Sequence, residues 1–167
     1  MRDMQHTEDA QLRSAITDLL DHTVERRIVS LGYYDGTTNG LLRAGTFAFR
    51  YDLVSWDEDQ DQRVYCLAPV TLDAFDRAVE ALQGLGEPTW PFWNPVWIFT
   101  TEERRIAAER ILDTLVGTGE YNIAVFTKDL SRRVEEAVSL SEERRKLATK
   151  FKIDRVIQSF HLWSHRA

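Results

Sequence analysis

The strongest constraint on the fold is an apolar alternation with a period of two that runs through residues 46–70 and is interrupted by one polar turn. Its clearest part places Phe47, Phe49, Tyr51 and Leu53 on one side and small or polar residues on the other. Successive side chains of a strand point to opposite faces of a sheet. The pattern therefore predicts a strand in a sheet that has one face covered.

Three predicted strands follow one another with short turns between them. The sequence "DGTTNG" at residues 35–40 carries two glycine-bearing turn signals and is predicted to be the loop of a hairpin. A second turn, "DEDQDQ" at residues 57–62, leads into the strand "RVYCLAPV" at residues 63–70. Strands joined in this way form an antiparallel meander. A fourth strand is predicted at "YNIAVF", residues 121–126, at an edge of the sheet.

Other apolar residues recur with the period of a helix. We predict an opening helix with Thr7 as its N-cap and a second helix capped by Thr71 or Asp73. A capping box at Thr100 and Glu103 predicts the start of a third helix.

These elements together predict the fold class. We expect a single α+β domain over residues 1–167, with an antiparallel β-meander of three to four strands and helices packed mainly on one face. A chain of this length is typical of one domain with one sizeable core. Two further elements, separated by a break near Lys152, are predicted for residues 141–163.

Composition and charge favour some classes of protein over others. No apolar run approaches 18 residues and the first residues do not resemble a signal peptide, so we expect a soluble, cytoplasmic protein. The net charge is −6, and residues 1–99 carry 8 basic and 16 acidic side chains. This balance disfavours binding to nucleic acid or to an anionic membrane. The single cysteine, Cys66, is expected to be buried in a strand.

Carboxylates are concentrated in the predicted second turn. We call the following four residues the acidic turn: Asp57, Glu58, Asp59 and Asp61. Their spacing imitates the start of a calcium loop, but Gln62 and Ala68 stand where that loop needs glycine and glutamate. Three interpretations remain open, namely a solvated turn, a docking site for a basic partner and a nonstandard site for a divalent metal.

The sequence "PTWPFWNPVWIF" at residues 88–99, called the aromatic segment below, holds three of the five tryptophans and three of the four prolines. Proline restricts its own φ and the conformation of the preceding residue, so this segment is stiff and irregular. Its rings either cover the core or form a partner-binding ridge or ligand-lining wall. We expect residues 97–99 to face inward. Trp90 or Trp93 is expected at the rim of a groove, with Phe92 as a further candidate contact.

No motif for catalysis, nucleotide binding or metal binding is present in the sequence, and the four histidines lack metal-ligand spacing apart from a pair at the chain end. We therefore assign no catalytic residue, no cofactor and no metal. Asp35 on its tight turn, beside Tyr33, is a conceivable ligand contact, although Asp-Gly is above all a turn former.

The leading functional hypothesis is a noncatalytic cytoplasmic binding module, such as an inhibitor, adaptor or immunity-like protein. It would engage a protein partner through the acidic turn and the aromatic segment. The alternative is a small enzyme or small-ligand-binding protein with a cleft between the sheet and the aromatic segment, where Tyr33, Asp35, Arg50 or Asp52 supplies polar contacts. A weaker third hypothesis is a nucleic-acid accessory protein that uses basic residues near the C-terminus. The oligomeric state is not predicted.

Overall fold

The computed structural model describes residues 2–33, 36–83, 85, 87–88, 97–98, 101–117 and 120–140. The main sheet is antiparallel and six-stranded in the order β1-β2-β3-β4-β7-β8. Its strands are β1 (Arg26–Tyr33), β2 (Thr37–Ala44), β3 (Phe47–Asp57), β4 (Gln62–Val70), β7 (Ile123–Thr127) and β8 (Glu136–Ser139).

A second, two-stranded sheet pairs β5 (Glu87–Pro88) with β6 (Trp97–Ile98). The three helices in the described residues are α1 (Arg2–Leu20), α2 (Leu72–Leu82) and α3 (Glu102–Leu115). None of these described helices is long and apolar enough to cross a membrane.

The main sheet is covered on both faces. On one face, α1 packs its buried Ala15 and Leu19 against a cluster that includes Phe49 and Tyr51. On the other face, α2 and α3 pack against strand residues such as Leu41. Each large apolar side chain that is fully buried contributes about 1.5 to 3 kcal/mol of transfer free energy. The sheet separates two apolar clusters, one packed against α1 and the other against α2 and α3.

The predicted fold class of α+β with an antiparallel sheet is confirmed, and two details differ. The main sheet has six strands rather than three to four, because β2 is a separate strand and β8 was not predicted. The prediction that the helices pack mainly on one face holds for α2 and α3 only, because α1 covers the opposite face. The fourth predicted strand is β7, which lies inside the sheet because β8 forms the edge.

Helix boundaries follow capping chemistry. Thr71 is the N-cap of α2, and its side chain accepts a hydrogen bond from the backbone N–H of Ala74. Thr101, not Thr100, caps α3 through the N–H of Arg104. The predicted N-cap at Thr7 is wrong, because α1 already begins at Arg2. The elements predicted for residues 141–163 lie outside the described residues.

Candidate interaction surface

Three connections of the main sheet lie at the same end. They join the end of β1 at Tyr33 to the start of β2 at Thr37, β3 to β4 through residues 58–61, and β7 to β8 through residues 128–135. Neighbouring strands are antiparallel, so the end of one strand adjoins the start of the next. The acidic turn and the end of β1 at Tyr33 therefore share one end of the sheet.

The acidic turn forms the exposed tip of the β3–β4 hairpin. The Asp57 Oδ1 atom accepts hydrogen bonds from the backbone N–H groups of Asp59, at 3.1 Å, and of Gln60, at 3.3 Å. Asp61 has a φ of 52°, in the left-handed region that aspartate tolerates better than most residues. The side chain of Asp57 thus fixes the local backbone, and all four acidic side chains are exposed to solvent.

A buried guanidinium lies at the base of this hairpin. Arg63 is only 2% exposed, and its guanidinium carbon lies 4.4 Å from the centroid of the Trp56 ring. A β-bulge between Leu53 and Ser55 shifts the register so that Trp56 stands opposite Arg63. This cation–π contact stiffens the base of the hairpin.

The same guanidinium also contacts the β1–β2 connection. A Cβ atom placed on Gly36 would lie 2.3 Å from Arg63 Nη1, so a side chain at this position would require the guanidinium to move. Arg63 is also part of β4, two residues after Asp61 of the acidic turn. The buried cation therefore links two of the three connections.

Behind the buried guanidinium, hydroxyl groups form a network on the α1 face of the sheet. The Ser30 and Thr37 side-chain oxygens are 2.7 Å apart, and Thr37 is also hydrogen-bonded to the Tyr51 hydroxyl. The Tyr65 hydroxyl donates to the Thr37 carbonyl oxygen at 2.6 Å. Burial raises the pKa of Tyr51 above its usual value. The network holds the start of β2 against β3 and β4.

Sequence reasoning missed both the buried guanidinium and the hydroxyl network. The alternation of β4 could have predicted the burial of Arg63, because Arg63 lies on the same face as Tyr65 and Leu67. Both of these residues are fully buried. The network had no comparable signal, since Ser30, Thr37 and Tyr51 are brought together only by the pairing of three strands.

Several predicted contact residues lie outside the described residues: Asp35, Trp90, Phe92 and Trp93. The backbone of Tyr33 ends β1, but its side chain is not described. The inward orientation predicted for residues 97–99 is likewise untested. The β5–β6 pairing matches Glu87 with Ile98 and Pro88 with Trp97. It therefore brings the two ends of the aromatic segment side by side.

Two residues of the alternative hypothesis, Arg50 and Asp52, are engaged in contacts within the protein. Arg50 Nη1 donates to Asp113 Oδ1 and to the Gly117 carbonyl oxygen, both at 2.8 Å. This clamp attaches the end of α3 to the sheet. Asp52 accepts a hydrogen bond from the Tyr121 hydroxyl. Burial, together with the adjacent Asp52 carboxylate, raises the pKa of Tyr121 above its usual value.

Cys66 lies beside the Asp52 carboxylate, in the register opposite it, and is buried as predicted. Burial and, to a smaller extent, the Asp52 charge raise the pKa of the Cys66 thiol from 9.0 to about 11. Between these two pH values the folded protein keeps the thiol proton and the unfolded chain releases it. The contribution of Cys66 to the free energy of unfolding is therefore full below pH 9 and is lost as the pH rises to 11.

We expect urea unfolding midpoints to fall more steeply between about pH 9 and 11 for the wild type than for the Cys66→Ala variant. Tyr51 and Tyr121 also have raised pKa values, so both proteins will lose stability at higher pH. The comparison of the two slopes isolates the thiol. Equal slopes would show that Cys66 titrates alike in the folded and unfolded states.

A shallow depression of about 240 Å³ lies between α1 and β8, away from the acidic turn. It is lined by Asp9, Leu12, Arg13, Ile16 and Ser139. Within the described ranges, no group of three or more His, Cys, Asp or Glu side chains is arranged to hold a metal ion.

Comparisons with protein-family models, with curated proteins and with solved structures found no match to this chain.

Proposed function

We propose that this protein is a noncatalytic binding module that engages a basic surface of a protein partner through the acidic turn. The aromatic segment supplies further contacts in this proposal. The observation that carries it is the rigid presentation of exposed carboxylates: Asp57 fixes the turn through two backbone hydrogen bonds, and Arg63 with Trp56 stiffens the hairpin below it.

Preorganisation supports this proposal over a merely solvated turn. A surface whose geometry is already fixed loses less conformational entropy on binding, so more of its interaction energy appears as affinity. Clustered charge of one sign also accelerates association with a partner of opposite sign. The engagement of Arg50 and Asp52 in internal contacts favours a binding module over a small-ligand cleft formed by these two residues.

Charge removal from the turn tests this proposal. In one variant, Glu58→Gln, Asp59→Asn and Asp61→Asn are combined, and Asp57 is retained because it fixes the backbone. We expect the affinity for the partner to fall about tenfold or more, and the salt dependence of association to weaken. The partner is isolated with the immobilised wild type, and its Kd is then measured by tryptophan fluorescence titration.

A matched control removes three carboxylates from the exposed surface of α2, by combining Asp73→Asn, Asp76→Asn and Glu80→Gln. Its net charge equals that of the turn variant, so a specific role for the turn requires that only the turn variant loses affinity. Equal losses would reduce the effect to net charge. The absence of any protein partner at micromolar concentration would contradict the proposal itself.

A further inference from the structure

Among the described residues, β8 is an edge strand that is paired on one side. It pairs with β7 only, and no other strand in the described part of the chain adjoins it. The Leu140 N–H donates to the Asn122 carbonyl oxygen at 2.8 Å, across the β7–β8 pairing. In an antiparallel ladder, hydrogen-bonded pairs alternate with pairs whose backbone groups point away from the partner strand. The N–H and C=O groups of Ala137 and Ser139 are therefore directed to the outer edge.

The shallow depression lies beside this edge on the α1 face. Ala137 packs against the core cluster on that face, and Ser139, two residues later, lines the depression with Leu12 and Ile16 of α1. A strand added outside β8 would lie about 4.8 Å from it, with every second side chain on the α1 face. Backbone pairing and a side-chain groove thus occur together at one edge.

The charge around this edge points to the chemistry of the occupant. Glu135 just before β8, Glu136 at its start, and Glu8 and Asp9 on α1 are exposed. Arg13 lines the groove, and Arg132 and Arg133 are exposed in the preceding connection, where Arg132 forms an ion pair with Asp129. Carboxylates still outnumber these three cations. A second copy of the chain would bring the same acidic edge and a further net charge of −6. Repulsion between like charges disfavours such a dimer and favours a basic segment of another protein.

We propose that the outer edge of β8 binds an extended basic segment of a partner protein by strand addition. The backbone groups of Ala137 and Ser139 pair with the added strand, and an apolar side chain of the segment enters the groove beside Leu12 and Ile16. The acidic residues of β8 and α1 attract its lysine or arginine side chains. This surface is separate from the acidic turn, and neither site requires the other.

The probe is a blocked peptide of alternating lysine and valine, about seven residues long, which is sufficient to cover a strand of this length. It is added to the full-length protein, and binding is followed by backbone amide chemical shifts and hydrogen exchange. We expect the amides of Ala137 and Ser139 to exchange rapidly in the free protein and to become protected by the peptide. Shift changes should centre on β8 and α1.

Two changes test strand addition. The same peptide with N-methyl groups on alternate residues keeps its side chains and charge but lacks the backbone N–H groups that pair with β8. Its affinity should be at least about tenfold lower. In the protein, Ala137→Pro removes an outward N–H without removing a β7–β8 hydrogen bond, and should weaken binding similarly. The N-methylated peptide supplies the answer even if this variant fails to fold.

Charge variants complete the test. Glu136→Lys should weaken binding several-fold at low salt, whereas Glu109→Lys on α3 should not. The acidic-turn variant should bind the peptide as the wild type does, which separates this proposal from the proposed function. The proposal is wrong if the N-methylated peptide binds equally well, or if the shift changes centre on the acidic turn. Protection of Ala137 and Ser139 in the free protein that is lost on dilution would instead identify a second copy as the occupant.

Discussion

Replacing Gly40 with alanine is expected to lower the free energy of unfolding by about 3 to 5 kcal/mol, or to prevent folding. Gly40 lies in the middle of β2 with a φ of 153°, a conformation that other residue types rarely adopt. A Cβ atom there would lie 1.9 Å from the Val29 carbonyl oxygen of β1. Since backbone cannot move aside as a flexible side chain can, β1 and β2 would have to separate. Urea unfolding monitored by tryptophan fluorescence measures the loss.

Gly117→Ala is the matched control for this prediction. Gly117 also has a positive φ, of 78°, but a Cβ atom there would meet nothing within 4 Å. This substitution therefore introduces backbone strain without a clash, at a cost of about 1 kcal/mol. If the two alanine variants lose the same stability, the close approach of β1 to Gly40 is not the cause.

Thr37→Val is expected to cost about 2 to 3 kcal/mol of unfolding free energy, because it removes the group that joins the buried hydroxyl network. The methyl group replaces an oxygen that is hydrogen-bonded to both the Ser30 and Tyr51 side chains. The Tyr51 hydroxyl is then left without this partner at a fully buried position. Urea unfolding gives the size of the effect.

A double-mutant cycle with Tyr51→Phe shows whether the network is the cause. The loss of unfolding free energy in the double variant should be about 1 kcal/mol smaller than the sum of the two single losses. Once one hydroxyl has been removed, removal of its hydrogen-bonding partner costs less. Thr46→Val, in the exposed β2–β3 turn, should change stability by less than about 0.5 kcal/mol. Strict additivity in the cycle would argue against coupling between the two hydroxyls.

The alternation of apolar residues, together with the short turns between the strands, predicted the antiparallel sheet and the face on which many side chains lie. Phe49 and Tyr51 are buried in the core on the α1 face, and Phe47 and Leu53 are partly buried against it, as the spacing of the four residues indicates. Such a pattern depends only on the two-residue period of a strand, so it can be recognised without knowledge of the neighbouring strands.

The glycine signals were harder to interpret, because glycine serves two purposes. Asn39-Gly40 was predicted as part of a loop, yet both residues lie within β2, where Gly40 permits the approach of β1. The actual turn between β2 and β3 is at Gly45, which has a φ of 60°. Whether glycine is needed for a turn or for close packing depends on a neighbouring strand, which the local sequence does not reveal.

Elements that depend on distant partners were also missed. β8 has four residues and begins with Glu136, so its composition resembles that of a loop, and it is recognised as a strand only through its pairing with β7. The position of the acidic turn was predictable from the local sequence, and the structure places it at a hairpin tip. Its support by Arg63 and Trp56 was not, because a one-residue bulge sets their register.

Changes of length in the β3–β4 hairpin will be tolerated very differently at the bulge and at the tip. The bulge places Val54 and Ser55 opposite Val64, so the loss of one residue there would make the pairing regular and leave Trp56 opposite Arg63. A change of length among residues 58–61 would instead disturb the backbone that Asp57 holds through Asp59 and Gln60. The tip must therefore keep its length, while the strand that carries it can lose its extra residue.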